Sequence, residues 1–544
     1  MNLIEHALKE NLKQAVLKAF EIDTALEDIV IEVPRLKEHG DYSSNIAMRL
    51  SKTLKMNPKI IAQSIIDGLD KNSIENTEIA GAGFINLFLK KDVLTQVITN
   101  VLKEDELYGE SKTTHPIKYN VEYVSANPTG DLHPGHARGA AIGDALTRIM
   151  KKAGFDVTRE YYLNDAGNQI NNMAKSLQAR YLQACGLDIQ VPEDGYHGKD
   201  LIEIANDLYA DIKDLYKETP LEDSLSYFRK VGLEKETEKL SNDLKHFRVE
   251  FDVWTSEQSL YDRVLVQKSL DTLIKNGHTY ELEGALWLRT TDYGDDKDRV
   301  LIKSDGSYTY ILPDIAYHLN KKERGYDKLV NLLGADHHGY IARLQAAFMS
   351  LGYQREDLMV DIIQMARMIK DGQEFKLSKR TGKAVALKDL IDEAGVDAVR
   401  YYFVSKAGDT HMDLDLDMAS SKTNDNPVYY AQYAHARMCS ILRQAELTEC
   451  SEFDLITHEK EIDLLKLIAD FPQLIQDAAF ARQPHIVCLF IQKLAASFHT
   501  FYGECTVLHA EDKLRQQRLA LVKATQITLR NALSLIGVSA PEKM

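Results

Sequence analysis

At 544 residues the chain is longer than one compact core accommodates, and two to four domains are expected. With 44% hydrophobic and 27% charged residues, and no apolar run of about 18 residues, it reads as globular, with no membrane-spanning segment expected. Its 66 Lys and Arg are outnumbered by 82 Asp and Glu, a net charge of −16, which argues against a protein that coats nucleic acid nonspecifically and leaves local basic patches open. The five cysteines are scattered and form no C-x-x-C pair, so neither a disulfide framework nor a structural zinc site is expected, and a reducing cytoplasm is the simplest compartment.

Residues 1–20 have the apolar spacing of an amphipathic helix, with Leu8, Leu12, Ala15 and Val16 on one face, and lack the continuous apolar core of a signal peptide. A strand-like run follows at 29–33, then a turn-rich stretch at 37–44, a further helix and a strand at 83–89, so residues 1–105 are expected to form a small α+β module. The polar segment 111–115 is a candidate boundary. Residues 119–124 form a short β-type run, a polar glycine-bearing loop follows, and 137–152 (ARGAAIGDALTRIMKK) is a small-residue helix. Strand, polar loop and helix open a nucleotide-binding α/β sheet. Residues 170–275 read as a charged helical insertion on that sheet, and β-leaning runs at 284–288, 300–303, 308–312 and 329–333 are expected to continue it as parallel strands. From 389 to 544 apolar stripes of helical period predict an all-α bundle, with helices near 428–444, 460–480 and 485–502.

Two short motifs carry chemistry. The first is His133-Pro134-Gly135-His136, where the polar loop enters the helix. Its imidazoles stand about one turn apart at a helix N-terminus, where free N–H groups and the macrodipole favour anions, and Gly135 lacks the Cβ that would keep a flat ring such as adenine off the backbone. Alone, an H-x-x-H equally describes surface or metal-binding histidines. The second is Lys376-Leu377-Ser378-Lys379-Arg380, followed by Thr381-Gly382-Lys383: four cations within eight residues suit a polyphosphate whose charge grows as pyrophosphate leaves. Alone, such a run is more often a solvated basic loop.

Together, in this order and with room for half a sheet between them, the motifs resemble the HIGH and KMSKS signatures of class I aminoacyl-tRNA synthetases. The flanking sequence narrows the resemblance to the bacterial-type arginyl-tRNA synthetases: EYVSANPTGDLHPGH at 122–136, YYLNDAGNQ at 161–169, GADHHGY at 334–340, YAHAR at 433–437, and GDYSSNIA at 40–47 with GFIN at 83–86. It runs over essentially the whole chain. A cysteine-type class I synthetase is disfavoured because its zinc-ligand cysteines have no counterpart, and a non-catalytic tRNA-binding relative because both signatures are retained.

The resemblance implies a Rossmann-like catalytic domain over 115–388 with a helical insertion near 170–275, an N-terminal α+β module over 1–105 that contacts tRNA, and a C-terminal all-α anticodon-binding bundle over 389–544. It implies an arginine–tRNA ligase that uses ATP with Mg2+, acts on L-arginine and tRNA(Arg), and works in the cytoplasm, expected as a monomer. Catalytic roles are carried over to His133, His136, Lys376 and Lys379, and ATP contacts to these with Gly135 and Ser378. Arginine contacts are carried over to Glu122, Ser125, Asn127, His136, Tyr310 and Asp314; a guanidinium, planar and always charged, needs such carboxylates and neutral acceptors in a fixed fan. Tyr310 and Asp314 reach one cavity if a helix starts near Pro313. Some relatives place Gln where Ala335 stands, which removes one expected contact. Tyr429 and Tyr433 with Arg437 on one helix resemble a platform for unstacked tRNA bases.

Overall fold

The computed structural model describes residues 3–34, 36–375, 385–448, 450 and 452–544. Lys376, Ser378 and Lys379 lie outside the described residues.

The N-terminal module is a four-stranded antiparallel sheet in the order Ile31–Glu32, Tyr42–Ser44, Phe84–Leu89, Ile74–Ala80. Helices Leu3–Phe20, Ile46–Leu54 and Pro58–Gly68 supply Leu12, Val16, Ile46, Ile61 and Ile65 to its core. The strand expected at 29–33 is two residues long, and the expected turn region at 37–44 contains a strand instead, because Tyr42–Ser44 pairs with Phe84–Leu89.

The catalytic region is built on a five-stranded parallel sheet: β1 (Lys118–Glu122), β2 (Asp156–Leu163), β3 (Val253–Ser256), β4 (Lys328–Gly334) and β5 (Leu358–Ile363), in the order β5-β4-β1-β2-β3. Helix α1 (Pro134–Lys152) connects β1 to β2, α2 (Ile311–Glu323) precedes β4, and α3 (Ile341–Ser350) connects β4 to β5. The chain leaves β1 toward one edge and fills the other edge later, so the topological switch lies between β1 and β4, where α/β sheets bind their ligands beyond the strands' carboxyl ends.

Small residues let α1 lie close on the sheet. Ala137, Ala140, Ala141 and Ala145 are buried, and a Cβ on Gly143 would stand 2.3 Å from the Tyr123 ring. Glu160 of β2 joins the neighbouring strands by accepting from Asn120 at 2.5 Å and Thr255 at 2.6 Å, and Arg324 at the end of α2 neutralises it with bonds of 2.8 and 2.7 Å.

Three expectations are corrected here. The span 170–275 is not wholly an insertion: Val253–Ser256 is the edge strand of the parallel sheet, and helices Asn168–Ala184, Lys199–Ile212 and Leu221–His246 form the inserted unit around Leu177, Tyr181, Leu201 and Phe228. The runs at 284–288 and 300–303 do not extend the parallel sheet. Ala285–Leu288 and Arg299–Ile302 form a separate antiparallel sheet with Thr279–Leu282: a two-residue turn joins the first pair, and the segment joining the second holds only the short 3-10 helix Thr290–Tyr293, less than a parallel crossover needs. The run at 308–312 enters α2, and only 329–333 is a parallel strand. Within 389–544, Met412–Asp415 is a strand paired in parallel with Ala366–Lys370.

Beyond it, helices Pro427–Gln444, Glu459–Ala481, His485–Glu504 and Asp512–Leu535 form the bundle. The bundle docks on the connector after the N-terminal module: Tyr108 Oη donates to Ile468 O at 2.7 Å, and Asn531 Nδ2 to Asp105 O at 2.8 Å. Deeper in, Arg400 on helix Val396–Val404 is fully buried and bonds Asp144 of α1 at 2.5 Å, Phe247 O at 2.9 Å and Ile536 O at 3.1 Å. It thereby joins α1, the end of the insertion and the chain's last turn. Arg400→Ala removes the buried one of the two arginines on Asp144, leaving Arg148 at 2.7 Å, and unpairs the Phe247 and Ile536 carbonyls; a loss of about 3 kcal/mol is expected, read as a lowered urea midpoint. A midpoint like that of the unsubstituted protein would reduce the pair to a packing contact.

Candidate active site

The N-terminus of α1 forms as the residues dictate: His133 is the N-cap, Pro134 takes the first helical position, where no N–H is needed, and His133 Nδ1 accepts from Gly135 N at 3.0 Å and His136 N at 3.3 Å. The two imidazoles stack with centroids 3.6 Å apart. Burial pushes His136 down to about 4, helped by the adjacent His133 and opposed by Asp336; burial also lowers His133. Both rings are therefore neutral at physiological pH. His136 Nδ1 is buried without a hydrogen-bond partner. A neutral stacked pair at the positive end of a long helix suits phosphate oxygens, and the use of His133 Nδ1 as a cap disfavours metal chelation by the pair. The face of Gly135 is partly covered: a Cβ there would lie 2.9 Å from the His133 ring and 3.0 Å from Met365 Sδ.

One turn further, Arg138 is fully buried and donates to Gln364 O at 2.7 Å and Ala407 O at 2.9 Å, fixing α1 to the segment after β5. From there Ala366–Lys370 and Gln373–Glu374 lead toward the second motif. Downstream of it, Leu387 N donates to Leu132 O at 2.6 Å, beside His133. The described flanks of the second motif thus lie against the first.

At the switch point a cavity of about 560 Å³ is lined by residues at the ends of β1 and β4, the start of α2 and the segment before α3. Glu122, Ser125, Tyr310 and Asp314 line it together, as their sequence positions anticipate, with Asn331, Asp336, Tyr340 and Arg343. Helix α2 starts at Ile311 with Tyr310 as its N-cap, so Tyr310 and Asp314 share one wall. His136 and Asn127 are not among the lining residues. Asn127 is exposed and donates to Gln169 Oε1 at 2.9 Å.

Of the cavity's three acidic residues Asp336 is largely exposed, and the other two, Glu122 and Asp314, differ in their partners. Glu122 is paired at 2.7 Å with Lys321, whose side chain is fully buried, and accepts from Ser125 Oγ at 3.1 Å. Asp314 accepts a hydrogen bond from the Tyr340 phenol, and burial raises its carboxyl above the usual range, with His318 and that phenol opposing. A sheltered carboxylate held mainly by a phenol is ready for a cation. Lys321, His318, Asn331, Tyr340 and Arg343 were not among the residues singled out from sequence. Tyr340 stands in the GADHHGY segment, and Lys321 and His318 share the Asp314 face of α2, signals that spacing alone could have supplied. Arg343 donates to the Tyr310 hydroxyl and lies 5.4 Å from the Tyr340 ring centre, closing one side of the cavity.

Far from this cavity, Tyr429, Tyr433 and Arg437 share helix Pro427–Gln444. Tyr429 and Tyr433 stack at 6.1 Å, Tyr433 continues onto His499 of the next helix at 6.2 Å, and Arg437 lies 4.8 Å from the centre of the Tyr502 ring. Half-buried rings in series beside a cation form a stacking surface.

A doubly wound parallel sheet whose switch point meets a His-Pro-Gly-His helix start is the catalytic architecture of class I aminoacyl-tRNA synthetases. Three families match along the chain: the arginyl tRNA synthetase N terminal domain over residues 6–89, the class I (R) tRNA synthetase catalytic domain over 97–407 and the DALR anticodon binding domain over 431–544. Arginine–tRNA ligase of Bacillus subtilis strain 168 is 53% identical over 100% of both chains, and that of Listeria monocytogenes serotype 4b strain F2365 is 54% identical over 99% of this chain and 98% of its own. The Thermus thermophilus arginyl-tRNA synthetase structure has the same fold, with a TM-score of 0.78 at 24% identity over 100% of both chains. The chain belongs to the arginyl-tRNA synthetase family.

The lowered His136 pKa is checked by imidazole NMR. A titration midpoint of about 4 is expected in the free protein, against the ordinary 6.5. Because the folded ring binds its proton more weakly than the unfolded one, the stability present above pH 6.5 is lost as pH falls toward 4. A midpoint at 6.5 would place His136 in solvent.

Proposed function

We propose that the chain activates L-arginine with ATP, forming arginyl-adenylate and pyrophosphate, and transfers the arginyl group to the 3′ end of tRNA(Arg). The observation that carries this reading is the cavity holding Asp314 and the Lys321-paired Glu122, next to neutral His133 and His136. In the first step a carboxylate oxygen of arginine attacks the α-phosphorus of ATP, the bond to the bridging oxygen breaks and pyrophosphate leaves with its electrons. In the second a ribose hydroxyl at the tRNA 3′ end attacks the arginyl carbonyl, AMP departs and the hydroxyl proton is released. The protein forms no covalent bond, so positioning and charge stabilisation carry the rate.

Asp314, Glu122 and Tyr310 are assigned to the guanidinium, Ser125 and Asn127 to the amino-acid end, and His133, Gly135 and His136 to ATP. His136, in the first turn of α1 and near enough to the cavity residue Asp336 to feel its charge, is assigned to both substrates. Lys376, Ser378 and Lys379 are assigned to the phosphates as pyrophosphate departs, with Mg2+ carried by ATP. Residues 1–105 and the 389–544 bundle are assigned to tRNA, with Tyr429, Tyr433 and Arg437 taking unstacked bases. The protein is taken as a cytoplasmic monomer.

The reading is tested by pyrophosphate exchange across the amino acids, with and without tRNA. Exchange dependent on arginine is expected, and exchange driven by another amino acid overturns it. A requirement for tRNA is expected from a population shift in which bound tRNA favours the competent site.

Asp314→Ala is expected to weaken arginine use by roughly 2–5 kcal/mol, with a much smaller effect on an uncharged analogue. In the unsubstituted protein, arginine affinity should fall as pH drops through the raised Asp314 range, because the protonated carboxyl no longer attracts the guanidinium. Equal losses for arginine and the analogue would make Asp314 structural.

A further inference from the structure

The helix α2 and the sheet meet at the switch point through polar residues where apolar packing is usual. Asp314, His318 and Lys321 lie on one face of α2, and Glu122 and Asn331 are register partners on β1 and β4, so their side chains project from the same face of the sheet toward that helix. Lys321 meets Glu122, as described, and His318 meets Asn331. His318 is 1% and Asn331 2% exposed, so each polar atom needs a partner inside the protein.

The hydrogen bonds here fix their own direction. His318 Nδ1 lies 2.8 Å from the backbone carbonyl of Asp314, which only accepts, so Nδ1 carries the proton. Burial and the neighbouring Lys321 keep the ring neutral, which leaves Nε2 as an acceptor. Asn331 Nδ2 lies 2.9 Å from that Nε2 and donates to it. The amide cannot turn over without setting oxygen against the Nε2 lone pair. Its Oδ1 is therefore an acceptor of fixed identity, and it is buried with no hydrogen-bond partner. Asn331 lines the same cavity as Asp314 and Glu122.

We propose that Asn331 is a specificity-determining residue whose Oδ1 accepts an N–H of the substrate guanidinium. This rests on arginine being the substrate. A guanidinium offers five donors and no acceptor, so an oxygen locked in the accepting sense rewards it and gives nothing to a lone-pair-bearing side chain. Asp314 supplies charge, and Asn331 supplies a neutral acceptor with one permitted orientation. His318 is a positioning residue that acts through Asn331.

The test is calorimetric binding of L-arginine and of L-citrulline, equal in length and uncharged, to the full-length protein and to Asn331→Ala and Asn331→Asp. Loss of a hydrogen bond to a charged group should weaken arginine by about tenfold or more in Asn331→Ala, with citrulline changing by less than about threefold. Asn331→Asp keeps an acceptor and should hold arginine within about threefold of the unsubstituted protein. Nitrogen NMR of His318 in the unsubstituted protein, which depends on no variant, should show Nδ1 protonated and Nε2 bare. Unchanged arginine binding in Asn331→Ala, equal losses for both ligands, or the opposite His318 tautomer overturns the assignment. Failure of the unsubstituted protein to bind arginine overturns the proposed function, and the Asn331 role with it.

Discussion

The ion pair between Lys321 and Glu122 sets the electrostatics of the whole switch point. Lys321 has no exposed side-chain surface, and its distance of 2.7 Å to Glu122 leaves neither charge bare. Desolvating two such groups is tolerated only when geometry is good and remaining lone pairs are met, and Ser125 meets one of them. The ammonium also lies 4.1 Å from the centre of the Tyr317 ring. With Glu122 balanced by Lys321 and Glu160 by Arg324, the carboxylate left without a cation among these three is Asp314. Asp336, the third carboxylate of the cavity, is largely exposed, so Asp314 is the sheltered negative charge there that a single cationic side chain would meet. In this arrangement Glu122 contributes an oxygen already held in place, and Asp314 contributes most of the attraction.

The same pair constrains α2. Because Lys321 and His318 bond partners on β1 and β4, the helix cannot slide by a turn without stranding both. Tyr310 and Asp314, at the other end of the same helix, are held by that anchorage. Side chains intended to bind a ligand within a few tenths of an ångström need such support from residues that never touch it.

Much of this was legible in the sequence where a local pattern carried it. The α1 helix, with its small residues and Pro134, and the β1 strand before it follow from spacing and turn chemistry alone. Glu122 and Ser125 in the HPGH flank, and Tyr310 and Asp314 carried over from the family pattern, line one cavity. What escaped depends on partners distant in sequence. Val253–Ser256 is a four-residue edge strand that, among the described residues, pairs only with β2, so nothing local marks it. The antiparallel strands Ala285–Leu288 and Arg299–Ile302 have the same β-type composition as parallel ones, and only the absence of a crossover helix separates the two cases. Asn331 sits in the run KLVNLLG, where it reads as an interruption of an apolar strand. Its meaning lies in His318, thirteen residues earlier on a different element.

The path from the bundle to the active site can be argued from burial. Arg400 and Asp144 are both fully buried, and Arg400 also holds carbonyls at the end of the insertion and in the last turn of the chain. On the surface of that junction Asp397 takes Arg248, Gln432 and Ser539. Rocking the bundle against α1 would expose or unpair these charges together, at a cost of several kcal/mol. The proposed base-stacking face at Tyr429 and Tyr433 therefore belongs to a body that already includes the helix bearing His133. The contact between the downstream flank of the second motif and the residues leading into α1 is lighter: among the described residues Leu387 holds Leu132 through one backbone bond. If tRNA shifts the site as proposed, the weaker joint is the one expected to give. The place to look for it is the motion of residues 385–387 against residue 132, with α1 and the bundle moving as one.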